Sequence, residues 1–193
     1  MADFNEAYLM TLDFEGGYNN DPEDAGGETY KGISRVYFPD WRGWVFIDAY
    51  KSNPRFPETA YNDGTIDNMV ETFYKEHFWN LFWGDKLSDQ AIANELFDTG
   101  VNQGVHTAIE YLQKGLNVLN RNQKNYPDIV VDGVFGNNTL SALKSYLVIN
   151  NNSFLLKVMN ILQGAHYIEK MTESPLQERN AFGWLKRVTI TKN

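Results

Sequence analysis

Around residue 15 the chain packs acid groups and pliable backbone more densely than anywhere else. The run is Phe14-Glu15-Gly16-Gly17-Tyr18-Asn19-Asn20-Asp21-Pro22-Glu23-Asp24-Ala25-Gly26-Gly27-Glu28-Thr29-Tyr30-Lys31-Gly32-Ile33-Ser34. Glu15 closes a helical pattern. At the carboxyl end of a buried helix, the peptide dipole and apolar neighbours disfavour an ionised carboxylate. The raised proton affinity that follows is what a general acid requires. A lone glutamate at a helix end is ordinarily a solvated side chain. The glycine pair, the buried helix before it and the acidic turn after it point instead to proton-transfer chemistry.

The elements that must hold these groups can be read outward from them. Asp3 caps a helix, and Glu6 three residues later completes a capping-box pattern with Asp in place of Ser or Thr. Phe4, Tyr8 and Leu12 recur every four residues with Ala7 beside them, so one face is buried. Gly16-Gly17 ends that helix. Asp21-Pro22 through Gly26-Gly27 is turn chemistry, and Thr29 to Ser34 predicts a small hairpin. Residues 35–65 read as an irregular aromatic segment with one short helix.

Beyond it, residues 66–82 predict a helix burying Ile66, Met69, Val70, Phe73, His77, Phe78 and Leu81. Ser88 is placed to cap the next helix, through Ile92, Leu96 and Phe97 to about Val101. Val105 to Leu119, a helix ending near Leu147, residues 153–171 and Gln177 to Val188 complete the set. The third of these carries Phe154, Leu155, Val158, Met159, Leu162 and Ile168 at helical spacing. The expected fold is mostly α with a minor hairpin.

Composition narrows the chemistry. The 193 residues include 5 Trp, 11 Tyr and 12 Phe, enough for a core with aromatics left to line a groove. The formal charge of −8 and the lack of a basic stripe oppose nucleic-acid binding. With no cysteine, thiolate chemistry, disulfides and cysteine-ligated zinc are excluded. His77, His106 and His166 share no ligand spacing, so neither metal nor cofactor is expected. His77, among Phe73, Phe78 and Leu81, reads as a core histidine. No serine sits in a nucleophile elbow and no phosphate loop is present. Met1 to Leu12 lacks the pattern of a secretory signal, and no apolar run of about 18 residues predicts a membrane span.

The stretch from Glu15 to Ser34 resembles the signature of glycoside hydrolase family 108, the lysozyme-like N-acetylmuramidases that include phage-type endolysins and secretion activator proteins. The resemblance covers residues 5 to 95. Phe97-Asp98-Thr99-Gly100-Val101-Asn102-Gln103-Gly104, Leu112-Gln113 and Val131-Asp132-Gly133-Val134-Phe135-Gly136-Asn137-Asn138-Thr139 resemble the peptidoglycan-binding module that accompanies the family. Gly183-Trp184-Leu185-Lys186-Arg187-Val188 is similar to its usual tail. The resemblance implies a lysozyme-like α+β fold with a small hairpin at the cleft. It divides the chain into a hydrolase domain at 1–95 and a helical wall-binding module at 96–193, and because no Pro/Gly/Ser-rich linker separates them the two are expected to pack as one body. It also implies a monomer whose partner is the peptidoglycan glycan strand, acting on the wall after export or holin-type release.

In the family, the glutamate of the Glu-Gly-Gly stretch is the catalytic acid, which here is Glu15. Glycoside hydrolysis normally needs a second carboxylate. Asp24 follows nine residues later, the acid-to-acid spacing of phage-type lysozymes, and takes the role ahead of Asp21 and Glu28. Asp21 also suits an Asx turn before Pro22. Glu28 and Thr29 alternate along a strand and should face opposite ways, and the Thr29 hydroxyl is suited to holding a water. Gly26 and Gly27 let backbone approach a sugar or permit positive φ. Tyr18 and Tyr30 are candidates for saccharide contact, with core packing the alternative for each. Trp41 and Trp44 lie outside the stretch and read as core. Asn102 either faces the glycan or caps its helix. The Asp132 to Thr139 loop reads mainly as scaffold, with Asp-Gly making the turn and an Asn or Thr capping the following helix.

Overall fold

The computed structural model describes residues 1–12, 17–20 and 27–188. Packing divides the chain into two compact units, Tyr8–His77 and Met1–Ala7 with Phe78–Asn193. The family resemblance is borne out at the level of architecture: nine α-helices and a three-stranded antiparallel sheet among the described residues. The first helix, α1 (Phe4–Leu12), contributes to both units.

In the unit Tyr8–His77 the strands are β1 (Tyr18–Asn19), β2 (Thr29–Tyr30) and β3 (Ile33–Ser34), in that order. Tyr18 faces Tyr30 and Asn19 faces Thr29; Thr29 then faces Ser34 and Tyr30 faces Ile33. Two-residue strands cannot sustain a sheet alone. Three tyrosine hydroxyls fasten this one to the helices behind it. Tyr30 donates to the Ala60 carbonyl at 3.1 Å, Tyr74 donates to the Lys31 carbonyl at 2.8 Å, and Tyr61 accepts from the Tyr18 N–H at 2.5 Å.

The helices of this unit are α2 (Gly43–Tyr50), α3 (Glu58–Tyr61) and α4 (Gly64–His77). The aromatic segment thus holds two short helices where the sequence predicts one. Trp44 and Ile47 bury one face of α2, and Ile66, Val70, Phe73 and Tyr74 bury a stripe of α4 at helical spacing. Each fully buried side chain of this size contributes about 1.5–3 kcal/mol.

The long helix expected over 66–82 stops at His77. Phe78 takes φ −130° and ψ −65°, and a 3-10 turn follows at Trp79–Phe82. The break shifts the helical phase, so Trp79 is buried while Leu81 is 54% exposed. His77 is exposed rather than core. Its ring stacks on Phe73 at 4.3 Å, and its Nδ1 lies 3.0 Å from the Phe73 carbonyl.

The other unit contains α5 (Gln90–Gln103), α6 (Val105–Val118), α7 (Asn137–Ile149), α8 (Ser153–Glu173) and α9 (Ala181–Arg187). α5 and α6 form a helical hairpin through Gly104, whose φ of +92° an L side chain rarely adopts. α8 packs on both. Phe4, from the start of α1, wedges edge-on between Trp79 at 5.6 Å and Phe97 at 5.8 Å.

Asp3 caps α1 as expected, accepting from the Asn5 N–H at 2.7 Å and the Glu6 N–H at 3.4 Å. The capping box is only half realised. The Asp3 N–H goes to Gln90 Oε1 at 2.6 Å, and Glu6 instead accepts from the Asn94 amide at 3.3 Å. Asp89, not Ser88, caps α5, accepting from the Ile92 N–H at 3.0 Å. The cap position of α7 is Gly136, with no side-chain cap. On α8, Phe154 and Ile168 are 59% and 57% exposed, so the buried face is narrower than the periodicity predicts. The closing segment is a 3-10 turn, Pro175–Asn180, followed by α9.

Candidate active site

Of the residues singled out by sequence, Glu15, Asp24, Gly26 and Asp21 lie outside the described residues. Tyr18, Gly27, Glu28, Thr29 and Tyr30 are described, all on the small sheet or its approach. Gly17 opens β1 against the Tyr61 hydroxyl, and a Cβ there would overlap that hydroxyl. The close approach is what lets Tyr61 accept the Tyr18 N–H. Gly27 enters β2 at φ +60°, a conformation that suits glycine.

Thr29 is half-buried, and its hydroxyl donates to the Gly27 carbonyl at 3.2 Å. That bond uses the one proton of the hydroxyl and leaves its lone pairs as acceptors. Glu28, the neighbouring competitor, is committed elsewhere. Its carboxylate pairs with Lys51 Nζ at 2.6 Å and with Arg35 Nη1 at 3.2 Å, and only 11% of the side chain is exposed. The same two cations hold Asp48, at 2.9 Å from Arg35 and 2.8 Å from Lys51. Hydrogen bonds from Arg35 and Lys51 keep the Asp48 carboxyl below its ordinary value. Arg35 also stacks 4.5 Å above the Trp44 ring. Two carboxylates and two cations thus close a ring that braces the base of the hairpin.

Tyr18 keeps part of its ring in solvent and packs edge-on against Phe56 at 4.6 Å. Burial pushes its phenol above the ordinary value, with the Glu28 carboxylate adding to the shift. Tyr30 is different. Its ring is fully buried and lies over Trp41 at 6.4 Å, while its hydroxyl is spent on the Ala60 carbonyl. It has no face left for a saccharide, so its part is core packing and not the sugar contact expected of it. Burial, then the Asp67 carboxylate, pushes its phenol well above the ordinary tyrosine range. Asn102 belongs to the other unit, on α5. Its amide donates back to the Asp98 carbonyl at 2.8 Å, whereas the cap position of α5 is Gly104. Among the described residues, no group of His, Asp and Glu gathers to hold a metal ion.

Comparison with known families decides what this arrangement belongs to. The family model described as Glycosyl hydrolase 108 matches residues 8–104, half of the chain. The chain belongs to the glycosyl hydrolase 108 family. A second model, described as a Predicted Peptidoglycan domain, matches residues 107–189. Together they mark a cell-wall-related protein of lysozyme-like fold. Among solved structures, one titled "Structure of Brucella abortus SagA" is similar with a TM-score of 0.57 at 19% identity. The match covers 98% of this chain and 96% of that one, and it supports the fold. No curated protein matches the chain.

Two sets of side-chain partners in the unit of Met1–Ala7 with Phe78–Asn193 were not legible in the sequence. Gln113, buried on α6, is the hub of the loop that resembles the wall-binding motif. Its Oε1 accepts from the N–H groups of Asp132 and Gly133, both at 3.0 Å. Its Nε2 lies 2.9 Å from Asp132 Oδ1 and 3.1 Å from Thr139 Oγ1. The motif residues Gln113, Asp132, Gly133 and Thr139 therefore act as scaffold.

The second set surrounds a buried acidic pair on α5. Asn160 donates to Glu95 Oε2 at 2.9 Å, and Gln163 donates to Asp98 Oδ2 at 3.1 Å. Burial pushes the Glu95 carboxyl up to about 7, with the Asp98 charge adding to it. The Phe97-Asp98-Thr99 run marks the place in the sequence, yet nothing local names partners on α8.

Proposed function

We propose that the protein is an N-acetylmuramidase that hydrolyses the β-1,4 bond between N-acetylmuramic acid and N-acetylglucosamine in peptidoglycan. The observation that carries this reading is the family match over residues 8–104, which spans both the Glu15-Gly16-Gly17 sequence and the hairpin bearing Thr29. Glu15 protonates the departing glycosidic oxygen. Asp24 acts as base for water or stabilises the oxocarbenium-like state. Thr29 holds that water. Because its own proton is given to Gly27, it accepts a hydrogen from the water and leaves an oxygen lone pair free for attack.

Protonation of the leaving group and electrostatic support of the cation supply most of the acceleration. Residues 1–95 carry the catalytic part and 96–193 the wall-binding part, which the match at 107–189 supports. The enzyme acts as a monomer on glycan strands, reaching the wall after export or release from the cell. Mass analysis of fragments from purified peptidoglycan tests the proposal. New reducing muramic acid ends are expected. Binding to the wall without any released fragment would instead favour a non-catalytic, wall-binding or secretion-assisting protein, the reading that the peptidoglycan domain would support alone.

A further inference from the structure

Within the unit Tyr8–His77, the loop 37–42 and helix α4 enclose a groove of about 840 Å³. That lies inside the ~300–1,000 Å³ range of sites for small organic ligands. The groove is distinct from the hairpin. Lys31, at the hairpin turn, is tied to α4 through Asp67 and through the Tyr74 hydroxyl. The α4 residues lining the groove include Asn68, Met69 and Thr72. At 3.6 residues per turn their stripe runs roughly 150° around the helix from Asp67 and Tyr74. The groove therefore opens on the side of α4 turned away from the hairpin.

We propose that this groove is a second saccharide site, which takes an oligomer of N-acetylated amino sugars. It rests on the muramidase reading only for the choice of sugar. A pyranose ring offers an apolar C–H face and a rim of hydroxyls, so its site needs an aromatic wall and a hydrogen-bonding wall. Both are present. Tyr37 stands 68% exposed on the loop side. Trp41 behind it is half-buried and held edge-on by Trp44 at 5.2 Å and Phe73 at 6.3 Å, which makes it a fixed platform.

Across from them, Asn68 and Thr72 present an exposed carboxamide and an exposed hydroxyl. A carboxamide matches an N-acetyl group, because it can donate to the acetyl carbonyl and accept from the amide N–H. The flexible thioether of Met69 suits the acetyl methyl. Asp40 and Glu76 outnumber Arg42 among the lining charges beside His77, which favours a neutral ligand over a phosphate or nucleic acid.

The test is a titration of the isotopically labelled full chain with tri-N-acetylchitotriose, followed by NMR. Saturable shifts are expected at the Asn68 side-chain amide and the Trp41 indole N–H. Tyr37→Ala and Asn68→Ala, both at exposed positions, should each weaken binding about tenfold. Affinity unchanged in both variants, or shifts confined to the strands at Tyr18 and Thr29, would overturn the proposal. A groove that responds to a free stem peptide and not to the trisaccharide would overturn it as well. Peptidoglycan cleavage is scored separately. A wild type that releases no fragments yet binds the trisaccharide here would sink the muramidase reading and leave this site standing.

Discussion

Arg187 Nη1 lies 2.6 Å from Asp98 Oδ1, with side chains 6% and 13% exposed, so the last helix is pinned to α5 by a nearly buried ion pair. Burial pushes the Asp98 carboxyl up, and the Arg187 charge pulls against that shift. Removing one partner strands the other's charge in the interior. Arg187→Met should therefore destabilise the fold by about 3–5 kcal/mol, and Asp98→Asn in the same chain should recover part of the loss. Urea unfolding measures both. An unchanged midpoint in the single variant would contradict the account.

The neighbouring Glu95 predicts a pH dependence with a definite sign. Its folded value of about 7 lies above the ordinary 4.5, so between those limits the native state holds a proton that the unfolded chain releases. Its contribution is present in full below about pH 4.5 and is lost as pH rises through about 7. The loss is at most about 3 kcal/mol. Glu95→Gln should flatten stability across that window, while the wild type declines. Melting temperatures at matched ionic strength decide it, and parallel profiles would remove Glu95 as the cause.

Gln113 binds two backbone N–H groups with one oxygen, so its loss leaves both unsatisfied. Gln113→Leu should cost about 2–4 kcal/mol and loosen the loop from Asp132 to Thr139. Amide hydrogen exchange should quicken at Asp132 and Gly133 first. Uniform acceleration across α6 would mean that the helix, not the loop, depends on this side chain.

Thr29→Val keeps shape and removes the hydroxyl. On the proposed mechanism, kcat should fall roughly 10- to 100-fold with KM little changed, and Thr29→Ser should restore most of it. The lost bond to Gly27 accounts for only about 1 kcal/mol of stability. Equal activity in the Val and Ser variants would make the hydroxyl structural.

Much of this was legible because it is local. Asp3 caps α1 through neighbours two and three residues away, and the glycine-bounded run from Thr29 to Ser34 folds as a hairpin. What escaped was set by partners distant in the chain. Gln90 takes the Asp3 N–H from 87 positions away, so Glu6 does not complete the box. Tyr30 could be read as a sugar contact or as core, and the Ala60 carbonyl behind the sheet decides it for the core. The apolar pattern runs on past His77, but the backbone turns at Phe78 and reverses which side chains are buried. Arg187 and Asp98 each stand in a motif, yet nothing in either run names the other across 89 positions.

The central claim is the proton held by Glu15, and substitution of that residue measures it most directly. Glu15→Gln keeps the volume of the side chain and abolishes proton donation. With an unchanged melting temperature, it should clear purified peptidoglycan at least about a hundredfold more slowly than the wild type. Clearance at the wild-type rate, with the same reducing muramic acid ends, would contradict the assignment.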